Sequence, residues 1–204
     1  MPTQENTYIV NNCGIIILAA GRSARLGSPK QLLPYHGKTL LQHTIDSAKV
    51  MPAGSIILVL GSNMEFIKNE MDMADVFIVE NHDWESGIAS SIGCGIKALK
   101  EIFQAADAAI LMVCDQPFVS HTLLTDLLLK QKETGKAIVA SSYENTIGTP
   151  ALFHQSLFRE LALLKGDFGA KKLLLKYENS LSTVPFIKGG IDIDTQENYK
   201  NLEK

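Results

Sequence analysis

Between Asn6 and Ile45 the chain has no aspartate or glutamate, although acids outnumber bases over its full length by 22 to 19. The resulting net charge of -3 excludes a general attraction to nucleic acid or to an anionic membrane, so any anion site has to be local. Long apolar runs are missing as well: the longest, "GIIILAAG", falls far short of the ~20 residues a membrane span needs. The opening residues carry no charged stretch followed by an apolar one, and the expectation is a soluble, cytoplasmic chain without a targeting segment. Cysteine is scarce, and Cys13, Cys94 and Cys114 are too widely spaced for a disulfide framework or a C-x-x-C motif, which leaves reduced core thiols. His36, His43, His82, His121 and His154 show no metal-ligand spacing. No linker, repeat or low-complexity tract interrupts the 204 residues, so a single domain over residues 1–204 is expected.

What is present is a rhythm. Short apolar, β-branched runs at Gly14–Leu18, Ser55–Leu60, Val76–Val79, Ala108–Val113, Ala137–Ser141 and Ser182–Phe186 predict buried strands. Helical spacing predicts helices over Leu40–Met51, Met64–Met71, Ile88–Phe103, His121–Thr134, Gln155–Leu164 and Ala170–Lys176, with Ser120 capping the fourth. Alternating strands and helices imply right-handed crossovers and an α/β three-layer sandwich around a mostly parallel sheet. Ligands of such sheets bind beyond the carboxyl ends of the strands.

The acid-free stretch lies at the end of the first strand. Arg22, Arg25, Lys30 and Lys38 fall in or just beyond the turn, and Gly21 and Gly27 permit positive φ and close backbone approach. Such a loop suits a polyphosphate, its N–H groups forming an anion nest and its cations adding charge-assisted bonds. "GRSARLG" lacks G-x-G-x-x-G spacing, and "HGKT" has Leu32 where a P-loop would have its first glycine, so neither dinucleotide-binding nor Walker chemistry is indicated. At another strand end "CDQPFV" presents Asp115, a carboxylate facing the phosphate loop that suits Mg²⁺. "GGIDIDTQENY" supplies Asp192 as a second ligand, with Asp194 or Thr195 expected to cap the last helix.

These residues carry a resemblance. "LAAGRSARLGSPKQLLP", "WESGIASSIGCGI", "CDQPFV", "SSYENTIGTPALF", "GDFGAKKLL" and "IDIDTQENY" resemble, in order, the blocks of the molybdenum-cofactor nucleotidyltransferase family, cytidylyltransferase branch, with its glycosyltransferase-A-like fold. The resemblance implies Mg²⁺-dependent transfer of CMP from CTP to the terminal phosphate of molybdopterin or a related small acceptor, with release of pyrophosphate. A molybdoenzyme or its chaperone would receive the product. Carried over by position, Leu18, Ala19, Ala20, Gly21, Arg22 and Gly27 would hold the nucleotide, with Arg25 on the leaving phosphates and Lys30 at the α-phosphate. Ser86, Gly87 and Ser91 would meet the base, Trp84 either covering the ribose or anchoring the core. Gly148, Thr149, Pro150, Asp167 and Gly169 would face the acceptor, Lys171 and Lys172 being read as solvated.

Four rivals stand beside this reading, the least favoured being an oxidoreductase of the dinucleotide-binding type, whose glycine fingerprint is missing. An erythritol-phosphate cytidylyltransferase shares "LAAG" and "PKQ" but differs at the block holding Asp192, and a sugar-phosphate nucleotidyltransferase needs longer insertions than this chain has room for. A non-catalytic accessory protein that binds molybdopterin or a nucleotide is separated from both by whether pyrophosphate is released.

Overall fold

The computed structural model describes residues 7–51, 54–71 and 73–202; the expectation about the opening residues falls partly on 1–6, outside the described residues. In chain order the elements are β1 (Cys13–Leu18), β2 (Pro34–Tyr35), β3 (Lys38–Thr39), α1 (Leu40–Lys49), β4 (Ile56–Leu60), α2 (Met64–Glu70), β5 (Phe77–Glu80) and α3 (Ile88–Ile102). Then follow β6 (Ala108–Val113), α4 (His121–Thr134), β7 (Ile138–Tyr143), β8 (Thr146–His154), α5 (Phe158–Ala162), α6 (Lys171–Lys176), β9 (Ser182–Pro185) and α7 (Gln196–Leu202).

The main sheet has seven strands in the order β5-β4-β1-β6-β8-β7-β9, and β2 and β3 form a separate small ribbon. Only β8 runs antiparallel to its neighbours in the main sheet. Strand β1 shows why the sheet is central: all six of its residues are buried. Ile15 and Ile17 join a cluster with Leu41 and Ile45 of α1 and Leu124 and Leu127 of α4. Ile16 and Leu18 point the other way, to Ile92, Ile96 and Leu99 of α3 and Leu161 of α5. Successive side chains of a strand face opposite sides, so an unbroken apolar run means helices on both faces. The three-layer architecture expected from the sequence is therefore observed.

Helix α3 lies very close to the sheet. A Cβ at Gly95 would sit 2.5 Å from Ile16 Cγ2 and 3.1 Å from Val59 Cγ2. The middle of the helix is thereby held against β1 and β4. The caps follow local chemistry: Leu123 N donates to Ser120 Oγ at 3.3 Å at the start of α4, as predicted.

One strand departs from the reading of the sequence. The segment expected to be an acceptor loop, 146–154, is β8, the antiparallel insertion between β6 and β7. Its Gly148-Thr149-Pro150 run looks like a strand breaker, but the β7–β8 register shifts just there, between Ala140 and Ser141. Proline is tolerated at such an irregularity because the ladder does not need its missing N–H.

Candidate active site

The loop after β1 folds back on itself through its own polar groups. Ser23 Oγ accepts from Lys30 N at 3.0 Å, and Leu26 N donates to the carbonyl of Ser23. Gln31, fully buried, donates from Nε2 to the carbonyls of Ala19 at 2.7 Å and Gly21 at 3.0 Å. Gly27 takes the expected positive φ, 74°, while Gly21 does not; a Cβ there would meet nothing within 4 Å, so its surroundings are open. The glutamine clasp leaves Arg22 and Arg25 exposed on the outside of the loop.

Lys30 is the loop's inward cation. Its Nζ donates to Asp115 Oδ2 at 2.5 Å and to Asp194 Oδ1 at 2.9 Å, and Arg25 Nη2 donates to Asp194 Oδ2 at 3.0 Å. Burial works against the ammonium of Lys30, but the charge of Asp115 and the two hydrogen bonds outweigh it and raise its pKa. Burial likewise pushes the Asp194 carboxyl up, and the bonds and charges of Lys30 and Arg25 overcome this and hold it lowered. Asp194 is thus no helix cap. Thr195 performs that role, its Oγ1 accepting from Asn198 N at 3.1 Å while its own N–H donates to Asn198 Oδ1 at 3.0 Å. Because a threonine with a partner three residues on satisfies both ends of the cap, the aspartate before it is free for the site.

Asp192 stands beside this network. Burial, followed by repulsion from Asp115 and Asp194, raises its carboxyl to about 6. The cluster therefore carries more negative charge than Lys30 neutralises, a donor set of hard oxygens suited to a divalent cation. Among the described residues no three or more such side chains close around an ion, so substrate oxygens would have to complete the shell.

Two clefts meet at this seam. One, of about 510 Å³, is lined by Leu18, Ala19, Ala20, Gly21, Arg22, Lys30, Trp84, Gly87, Ser91, Asp115 and Asp167, among others. The other, of about 1080 Å³, is lined by Arg25, Tyr35, His36, Phe118, Lys188, Asp192 and Asp194, among others. The ion-pair chain Arg25–Asp194–Lys30–Asp115 joins them, with two members on each side.

The smaller cleft gathers most of the residues expected around the nucleotide. Gly87, at φ 98°, turns the chain from the short 3-10 turn Trp84–Ser86 into α3, and a Cβ there would run into Asp167 and the Gly166 backbone. Trp84 packs on the core, one of the two places foreseen for it, and also lines the cleft. Ser91 is buried, and its hydroxyl accepts from Asn81 Nδ2 at 3.0 Å. Ser86 and Gly27 do not line this cleft: the turn leaves Ser86 exposed beyond its rim, and Gly27 lies on the outer bend of the loop.

The residues expected around the acceptor are not brought together. Because 146–154 is a strand, Gly148 lies under the Tyr143 ring, Thr149 Oγ1 donates to Gln116 Oε1 at 3.3 Å, and the Pro150 carbonyl accepts from Ser141 Oγ at 2.7 Å. None of the three lines the larger cleft. Asp167 lines the smaller cleft, and Gly169 packs against Ile88 and Ile92 of α3 on the same side. Besides Arg25, Asp192 and Asp194, the wall of the larger cleft includes residues the sequence reading passed over, such as Lys188, whose Nζ lies 4.2 Å from the centre of the Phe118 ring. The roles of Gln31 and Asp194 were also missed. For Asp194 the signal was present in the Thr195–Asn198 cap pair; a buried glutamine leaves none, since glutamine is ordinarily a surface residue.

The chain is similar to known proteins in sequence and in fold. The model of the MobA-like NTP transferase domain matches residues 15–181. The chain is 34% identical over 196 residues to nicotine blue oxidoreductase of Paenarthrobacter nicotinovorans, covering 92% of this chain and 94% of that protein. A probable molybdenum cofactor guanylyltransferase of Bacillus anthracis is 26% identical, with 93% and 94% covered. Rv0371c of Mycobacterium tuberculosis superposes with a TM-score of 0.80 at 32% identity, covering 95% of this chain and 100% of that one. That protein is also known in complex with manganese. Against the bifunctional protein GlmU of Buchnera aphidicola, 27% identical, the chain spans 41% of the relative's length.

Proposed function

The chain belongs to the MobA-like NTP transferase family, and from that membership we propose that it transfers CMP from CTP to the terminal phosphate of molybdopterin or a closely related small acceptor, releasing pyrophosphate. The observation that carries this reading is the ion-pair chain at the junction of two clefts: a donor on one side and an acceptor on the other would meet at Lys30.

In this reading the base and ribose occupy the smaller cleft, against Trp84, Gly87 and Ser91, and the triphosphate lies along Ala20–Gly27. Arg25, exposed at the rim, turns from Asp194 to the β- and γ-phosphates, which a planar guanidinium holds in bidentate fashion. Lys30 exchanges its carboxylate partners for the α-phosphate oxygens, where negative charge builds as the bond forms. Asp115 and Asp192 would hold Mg²⁺, which would supply charge neutralisation at the phosphate oxygens and orientation of the leaving pyrophosphate. The acceptor's phosphate oxygen attacks the α-phosphorus, the new P–O bond forms in line as the bond to the β-phosphate oxygen breaks, and the electron pair leaves on pyrophosphate. No strong base is required, because a phosphate monoester is already anionic at neutral pH; catalysis is positioning and charge stabilisation.

The assignment of CTP rests on the resemblance of "LAAG" and the following blocks to cytidylyltransferases, while the guanylyltransferase relative keeps GTP as the competing donor. No helix among the described residues is long and apolar enough to cross a membrane, and the described cysteines are free, which supports a cytoplasmic reaction with a molybdoenzyme or its chaperone downstream. A second reading, an oxidoreductase acting on nicotine blue, is favoured by the 34% identity to the protein of that name. The deciding experiment crosses CTP, GTP, ATP and UTP with molybdopterin and methylerythritol phosphate, with and without Mg²⁺, and reads pyrophosphate. A parallel set offers nicotine blue with NADH or NADPH. Metal-dependent release with CTP and molybdopterin supports the proposal; release only with GTP moves the donor, and dye reduction without pyrophosphate release replaces the reading.

A further inference from the structure

Gln116 follows Asp115 directly and is only 3% exposed. A primary amide in that position has two N–H donors and an acceptor oxygen to satisfy, and leaving any unmet is costly. Its Nε2 donates to the Gly189 carbonyl at 2.8 Å, and its Oε1 accepts from Thr149 Oγ1 at 3.3 Å. The side chain also works to lower the pKa of the neighbouring Asp192 carboxyl and Tyr143 hydroxyl, against the larger effect of their burial. One residue thus ties together the end of β6, the irregular part of β8 and the segment that leads out of β9.

That last segment needs an anchor. Ile187 is 91% exposed and Ile191 42%, so residues 187–191 have little packing to hold them in place. The segment is fixed from within where Gly189 sits under Tyr143 and Phe186, and where Ile193 N donates to the Asp115 carbonyl at 2.9 Å. Gln116 acts between these points, through the Gly189 carbonyl three residues before Asp192. Thr149 sets the sense of the amide: by donating to Oε1 it turns Nε2 towards Gly189. This gives the Gly148-Thr149-Pro150 stretch a place in the site without contact with an acceptor.

We infer that Gln116, oriented by Thr149, is a positioning residue that, through the Gly189 carbonyl, holds the segment carrying Asp192 where Asp192 and Asp115 together serve one divalent cation. The inference rests on the proposed reading of Asp115 and Asp192 as cation ligands. Outer partners of this kind typically account for about 10- to 100-fold in metal affinity or activity.

The test is Mn²⁺ titration of nucleotide-free protein, read by electron paramagnetic resonance, on wild type, Gln116→Met, Thr149→Val and Asp115→Asn. Gln131→Met serves as the control for losing a buried amide, because Gln131 is fully buried and donates to the Tyr8 and Lys136 carbonyls far from the site. The expected result is about tenfold or greater weakening in Gln116→Met, a smaller loss in Thr149→Val, and wild-type affinity in Gln131→Met despite its lower thermal midpoint. If Gln116→Met does not fold, Thr149→Val carries the test. Wild-type affinity in the Gln116 and Thr149 variants overturns the inference alone, as does equal weakening in Gln131→Met. Absence of Asp115-dependent Mn²⁺ binding in wild type overturns the parent reading, and the inference with it.

Discussion

Replacing Lys30 by methionine has opposite effects on two measurable quantities. The Nζ lies 2.5 Å from Asp115 and 2.9 Å from Asp194, and the lysine side chain is only 15% exposed. In the ligand-free protein it therefore engages Asp115, one of the two acids proposed to hold the cation, and competes with the cation for that carboxylate. Opposite unit charges about 4 Å apart interact by roughly 4 kcal/mol at an effective dielectric of about 20, much of it offset by desolvation. If about 1.4 kcal/mol of that competition is lifted, Mn²⁺ binds nucleotide-free Lys30→Met about tenfold more tightly than wild type. Turnover moves the other way, by about 10²–10³, the usual cost of removing one donor from a developing negative charge. Asp115, with 18% of its side chain exposed, also loses its counter-charge, so the variant is less stable and gains more from added Mn²⁺ in a thermal melt. The assays are Mn²⁺ titration, pyrophosphate release and melting with and without metal. Unchanged or weaker metal binding in Lys30→Met would refute the idea that the ammonium competes with the cation for Asp115, and unchanged turnover would refute its role at the α-phosphate.

Three further outcomes follow. An acid whose folded pKa is raised stabilises the fold in its protonated form, so the contribution of Asp192 is present below about 4 and lost as pH rises through about 6. Metal-free Asp192→Asn should melt like wild type at pH 4 and above it at pH 7, and Mn²⁺ should close the gap; a constant offset across that range contradicts the raised carboxyl. Burial lifts the Cys13 and Cys114 thiols to about 12, while Cys94 is only partly buried, so a thiol-reactive disulfide should label Cys94 alone in native protein and all three cysteines in denaturant. Gly95→Ala places a methyl 2.5 Å from Ile16 Cγ2 and should cost about 1–3 kcal/mol in urea unfolding, whereas a neutral result would show that α3 can retreat from the sheet freely.

The fold was legible because a strand covered on both faces is apolar throughout, as β1, β4 and β6 are, and a run so short and so evenly apolar suits neither an exposed helix nor a solvated loop. Strand β8 was not, because the Gly148-Thr149-Pro150 run mimics a turn and only its pairing with β7 shows that an irregular ladder absorbs it. At the site, Lys30 and Asp115 were readable as a cation in an acid-free loop and an acid at a strand end, and the fold brings them into contact. The exchange of parts between Asp194 and Thr195 was a contest of two caps that adjacent residues cannot decide by type alone. Asp167 was assigned to the acceptor side because chain order cannot say that its loop returns to the start of α3, against Gly87. The buried glutamines were silent for a different reason: a glutamine that clasps backbone carbonyls, as Gln31 does, looks like any surface polar residue until its partners surround it.

The central claim is a transfer of CMP across the Lys30 seam, and it is met most directly by weighing the product. Protein incubated with CTP, Mg²⁺ and molybdopterin should yield an acceptor heavier by one cytidine monophosphate, with one pyrophosphate released per molecule formed and no product from Asp115→Asn. An acceptor of unchanged mass with every triphosphate, or one reduced rather than extended, would contradict the account.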